Sequence, residues 1–137
     1  MAVSLVIVSH SARLAEGVAE LAAQMAQAKV AIAVAGGAAD GSLGTSADKI
    51  VAALEQVNGP DGILVLLDLG SAVMATEMAV ETFTATHHTR VKISSAPLVE
   101  GAVIAAVEAS TDSNLDEVAQ AAESAMMIPK VHDQGSN

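Results

Sequence analysis

At 137 residues the sequence is the size of one domain, and 52% hydrophobic content with a single aromatic, Phe83, calls for a core of Val, Ile, Leu, Met and above all Ala. The formal charge of −10 excludes nucleic acid as a partner, since a phosphate backbone demands surplus Lys and Arg, and suits a basic protein partner better. Without cysteine there are neither disulfides nor thiolate metal sites, and no apolar run reaches the roughly 20 residues of a membrane span. The amino-terminal MAVSLVIVSH lacks the basic start of a secretory signal, so a cytoplasmic location without membrane attachment is expected.

In chain order, SLVIVS at 4–9 reads as a first strand, followed by a helix over 12–27 with Leu14, Val18, Leu21 and Met25 at helical spacing. VAIAVA at 30–35 is a second strand, and the glycine-rich GGAADGSLGTS at 36–46 leads into a helix over 46–57 carrying Ile50, Leu54 and Val57. Thr45 with Asp48 reads as its capping box. GILVLLD at 62–68 is a third strand, the helix over 71–83 carries Val73, Met74, Met78 and Phe83, and VKIS at 91–94 is a fourth strand. Pro97 is placed to open a helix over 98–109, and Ser113 with Asp116 reads as the capping box of a last helix over 114–127. Residues 1–128 form the expected domain, and the polar tail 129–137 is expected to be disordered.

None of the four apolar runs alternates strictly, which marks strands covered on both faces, and their alternation with helices marks βαβ units. The predicted fold is α/β with three α/β/α layers, a parallel four-stranded sheet of order 2-1-3-4 and about five helices. Ligands of such sheets sit beyond the carboxyl ends of the strands, where the strand order reverses. Here that point lies between the first and third strands, whose exits carry SHSARL (9–14) and DLGSAV (68–73), so His10 and Asp68 should face one another.

Taken alone, His10 reads as a hydrogen-bonded loop histidine and Asp68 as a turn residue. Their meeting at one privileged mouth points instead to a site in which the carboxylate holds one ring nitrogen and leaves the other as a nucleophile. The chain has no GxSxG elbow and no GxxxxGK[ST] phosphate loop. His87 and His88 are adjacent and lack metal-ligand spacing, and His132 lies in the tail, so no metal site is expected. The glycine-opened helix starts at Gly44, Thr45 and Ser46 and at Gly70 and Ser71 offer amide donors that suit a phosphoryl group on His10, although glycines there also serve simply to permit tight turns.

The blocks VSHSARLAEGV (8–18), GGAADGSLGTS (36–46), LLDLGSAVMATE (66–77) and APLVEGAVIAAV (96–107) resemble, in order, the phosphocarrier subunits of phosphoenolpyruvate-dependent dihydroxyacetone kinases, which have the fold of mannose-type IIA domains of the sugar phosphotransferase system. The resemblance covers about residues 3–127. It implies that His10 accepts a phosphoryl group from the carrier protein HPr as a transient phosphohistidine, with Asp68 orienting it, and passes it to ADP held by the kinase's nucleotide-binding subunit. It further implies no bound cofactor, a dihydroxyacetone-binding kinase subunit as a further partner, and a homodimer. Some relatives carry HPr-like and enzyme I-like domains behind this one; this sequence is expected to use separate proteins for both. The alternative is a mannose-type IIA domain that phosphorylates a sugar-permease IIB domain, but such domains usually have Gly-Gly-Ser-Pro where this chain has Leu69-Gly70-Ser71-Ala72. A non-catalytic flavodoxin-like binding module would leave the pairing of His10 with Asp68 unexplained.

Overall fold

Strand β1 (Ser4–Ser9) is buried along its whole length, as an apolar strand covered on both faces must be. The computed structural model, which describes residues 2–131, continues with α1 (Ala12–Met25), β2 (Ile32–Gly36), α2 (Ala47–Gln56), β3 (Ile63–Leu67) and a 3-10 turn (Gly70–Ala72) that runs into α3 (Val73–Thr84). β4 (Val91–Ile93), α4 (Leu98–Ala109), α5 (Leu115–Glu123) and a last 3-10 turn (Ser124–Met127) complete it. The strands are parallel in the order β2-β1-β3-β4, as predicted.

Successive side chains of β1 and β3 feed two cores. Leu5, Ile7, Leu64 and Leu66 pack with α1, α4 and α5, whereas Val6, Val8, Ile63 and Val65 pack with α2 and α3. The register pairs Val8 of β1 with Leu67 of β3 and Ser9 with Gly36 of β2, so the three central strands end at nearly the same level. His10 and Asp68 are the first residues past two adjacent ends.

The helices turn a different face inward than their largest residues suggest. On α1 the buried residues are Ala15, Val18 and Ala22, whereas Leu14, Leu21 and Met25 remain 43%, 44% and 53% exposed. On α3 they are Thr76, Ala79 and Phe83, and Met74 and Met78 lie outside. Alanine brings the helix axes closer to the sheet and to each other than leucine would, and α1 packs against α4 through Gly101, Ala102, Ala105 and Ala106, all buried. A Cβ on Gly36 would lie 2.6 Å from the Ala12 Cα, so glycine lets β2 approach the start of α1.

Two helix starts differ from prediction by one residue. Ser46, not Thr45, caps α2 by accepting the Lys49 amide at 3.2 Å. Asn114 and Glu117, not Ser113 and Asp116, form the capping box of α5. Both pairs fit the same spacing; burial of Leu115 selects the register, and Asp116 is freed to meet Arg90 and Lys92, each at 3.1 Å. α1 stops two residues early because Gln27 and Ala28 adopt φ of 55° and 59°, and the Ala28 amide closes back on the Ala23 carbonyl. Past α5, Lys130 pairs with Glu100 at 2.6 Å, while residues 132–137 of the expected tail lie outside the described residues.

Candidate active site

The mouth is built from three strand exits. The Asp68 amide donates to the Val8 carbonyl at 3.2 Å, extending the ladder one residue beyond β3 and fixing the Asp68 backbone beside His10. The Gly37 amide donates to the Ser9 carbonyl at 3.0 Å and the Gly44 amide to the His10 carbonyl at 2.9 Å, so the glycine-rich loop after β2 grips the backbone that carries the histidine. Ser11 then caps α1, its hydroxyl accepting the Leu14 amide at 3.2 Å.

Asp68 receives four donors on two oxygens. Oδ2 accepts the Ser9 hydroxyl and the His10 amide, both at 2.9 Å; Oδ1 accepts the Leu69 amide at 2.7 Å and faces His10 Nδ1 at 3.0 Å. Burial of this side chain, 10% exposed, works to raise its pKa. Hydrogen bonds from the His10 amide, the His10 ring and the Ser9 hydroxyl, with attraction to the His10 ring, more than offset that burial and hold the carboxyl below its usual value.

An ionised carboxylate can only accept, so the proton in the His10–Asp68 contact sits on Nδ1. In the neutral ring Nε2 then carries the lone pair. The Ser71 hydroxyl lies 2.9 Å from Nε2 and donates to it in this tautomer. His10 remains 26% exposed, and Nε2 is the nitrogen turned toward the mouth. The arrangement is a nucleophilic nitrogen oriented by a buried anion, with a hydroxyl beside the point of attack.

Of the residues singled out from sequence, His10, Asp68 and Ser71 are brought into direct contact. Gly70 and Ser71 head the 3-10 turn before α3, so their amides open toward the same mouth. Gly44 acts on the His10 carbonyl, Ser46 is committed to capping α2, and among the described hydrogen bonds Thr45 makes none to His10. Ser9 was not singled out; its only sequence signal is a hydroxyl that ends an apolar run immediately before the histidine.

His87 belongs elsewhere. Its ring stacks on Phe83 with centroids 4.2 Å apart, and Nδ1 meets the Phe83 carbonyl at 2.9 Å. It lines an open cleft of about 790 Å³ with His88 and Arg90 at the opposite end of the sheet. Among the described residues no group of three or more His, Cys, Asp or Glu side chains is arranged to hold a metal ion. No helix among them is long and apolar enough to cross a membrane.

The family model described as PTS system fructose IIA component, EIIA-man, matches residues 4–119. The chain is 43% identical over 119 residues to the PEP-dependent dihydroxyacetone kinase, phosphoryl donor subunit DhaM, of Escherichia coli, covering 85% of this chain and 25% of that protein. It is 35% identical over 118 residues to the PEP-dependent dihydroxyacetone kinase 2, phosphoryl donor subunit DhaM, of Listeria innocua, covering 86% of this chain and 94% of that protein. The chain thus spans about a quarter of the length of the first relative and nearly all of the second. A crystal structure of a protein of unknown function matches with a TM-score of 0.73 at 32% identity, over 90% of this chain and 94% of that one.

Proposed function

The chain belongs to the EIIA-man family and stands with its DhaM-type phosphoryl donor subunits, and from that premise we propose that it is a cytoplasmic phosphocarrier that relays a phosphoryl group from phospho-HPr, through His10, to ADP on the nucleotide-binding subunit of a dihydroxyacetone kinase. The observation that carries this reading is the polarity of His10, with Nδ1 held by Asp68 at 3.0 Å and Nε2 left open beside Ser71.

In the first half-reaction the Nε2 lone pair attacks the phosphorus of phospho-HPr; the Nε2–P bond forms as the donor's N–P bond breaks. The imidazole becomes cationic while Nδ1 keeps its proton, and the adjacent carboxylate offsets the charge. Ser71 swings its hydroxyl from Nε2 to a phosphoryl oxygen, joined by the amides of Gly70 and Ser71 at the head of the turn. Gly44, Thr45 and Ser46 border the same mouth, where Gly44 steadies the His10 backbone. In the second half-reaction a terminal oxygen of ADP attacks phosphorus in line, the Nε2–P bond breaks, and the lone pair returns to His10.

This division of labour leaves metal and nucleotide to the partner. The chain's charge of −10 repels free ADP, and no lysine-bearing phosphate loop is present in the sequence. The rim of the mouth suits docking instead: Leu43 and Leu69, on two of the loops that frame His10, are 80% and 59% exposed, and Met74 at the start of α3 is 73% exposed.

The test loads the chain from phosphoenolpyruvate with enzyme I and HPr, then adds one acceptor at a time. Discharge is expected with the ADP-loaded kinase subunit and not with free ADP and magnesium. Discharge to a sugar-permease IIB domain would move the chain to a transport role, and discharge to free ADP would overturn the division of labour.

A further inference from the structure

We propose that Ser9 is a positioning residue of the relay, its hydroxyl holding Asp68 in the ionised, oriented state that keeps the His10 proton on Nδ1. Ser9 is fully buried, 0% exposed, at the end of an otherwise apolar strand. Its Oγ lies 2.9 Å from Asp68 Oδ2 and 3.0 Å from the Ser11 amide nitrogen.

Those two contacts set the direction of the hydroxyl. An amide N–H can only donate, so it occupies a lone pair of Oγ, and the single hydroxyl proton is directed to Asp68. The result is a one-way chain from the Ser11 N–H through the Ser9 hydroxyl to the carboxylate. A protonated Asp68 would gain nothing from it, because Oδ2 is already taken by two donors, the Ser9 hydroxyl and the His10 amide. With Oδ2 anchored, Oδ1 is held toward Nδ1. Other buried hydroxyls have different work: Thr76 donates back to the Ala72 carbonyl, and Ser94 accepts the Ala96 amide.

The kinetic part of the inference rests on the phosphocarrier reading; the tautomer part does not. In Ser9→Ala, nitrogen-15 spectra of the His10 ring should lose the dominance of the Nδ1–H tautomer. The acid limb of the phosphoryl-transfer rate should move to higher pH, because the carboxylate has lost a donor that favours its charged form. The transfer rate constant should fall by roughly 10- to 100-fold, the range for a hydrogen bond to a charged group, with KM for HPr little changed. Ser9→Thr, which restores the hydroxyl beside the side-chain-free Gly36, should recover both readouts.

An unaltered tautomer pattern and an unmoved acid limb in a folded Ser9→Ala protein would overturn the role, as would a loss of rate that Ser9→Thr leaves unrepaired. Should the alanine variant fail to fold, Ser9→Cys, with similar volume and a much weaker donor, carries the same comparison. If the parent chain accepts no phosphoryl group at all, the phosphocarrier reading fails while the nitrogen-15 comparison still decides the part played by Ser9.

Discussion

A His10→Ala chain incubated with phosphoenolpyruvate, enzyme I and HPr should carry no acid-labile phosphoryl group, where the parent carries one per molecule. The loss should be complete, because the reaction needs a nitrogen lone pair at one point in space and no other described histidine occupies it. His87 and His88 lie at the opposite end of the sheet, and His87 already spends Nδ1 on the Phe83 carbonyl. The fold should survive. The His10 side chain is 26% exposed, it contributes to neither core, and its backbone contacts with Gly44 and Asp68 do not depend on the imidazole. The stability change should stay within about 2 kcal/mol, the scale of one hydrogen bond and the partner it leaves behind. Intact mass spectrometry in neutral buffer reads the result, and stoichiometric loading of the variant would remove His10 from the reaction.

Replacement of Asp68 should slow transfer by roughly 10²- to 10⁴-fold, the usual scale for a lost acid–base or tautomer-fixing partner. Two contributions disappear together: the anion that offsets the ring's positive charge during attack, and the acceptor that keeps the proton on Nδ1. Asp68→Asn separates them from simple loss of volume, since the amide keeps the shape but can also donate to Nδ1 and select the wrong tautomer. Stability supplies a second readout. The carboxyl's pKa lies below its usual value in the folded chain, so its stabilising contribution is fully present above the ordinary carboxylate range and is lost as pH falls through the depressed value. Parent and variant should therefore differ most in stability near neutrality and converge in acid. Unchanged transfer kinetics in Asp68→Ala would dissolve the pair.

The topology was legible because it depends on coarse features. Four apolar runs separated by helical spacing leave few arrangements for a right-handed parallel sheet, and the observed order is the predicted one. The pairing of His10 with Asp68 followed from topology plus the position of each residue just beyond a strand, and the two side chains meet at 3.0 Å. What spacing did not reveal depends on sub-residue geometry. Leu14, Leu21 and Met25 share a helical stripe, yet the neighbouring stripe of Ala15, Val18 and Ala22 faces the sheet, because closeness of approach outweighs side-chain size in an alanine-rich core. The caps of α2 and α5 slipped by one residue because Thr45 and Ser46, and likewise Ser113 and Asn114, are chemically equivalent choices until burial selects one. Ser9 escaped notice because a small hydroxyl in an apolar strand looks like a tolerated surface residue. Only the structure shows it bonded to the carboxylate.

The most direct measurement uses chain labelled with nitrogen-15 in its histidines, loaded from phospho-HPr and followed by phosphorus-31 and nitrogen-15 spectroscopy. The geometry predicts a single phosphohistidine, at His10, with phosphorus coupled to Nε2 and the proton retained on Nδ1. A phosphoryl group on Nδ1, on another histidine, or on no histidine at all would contradict it.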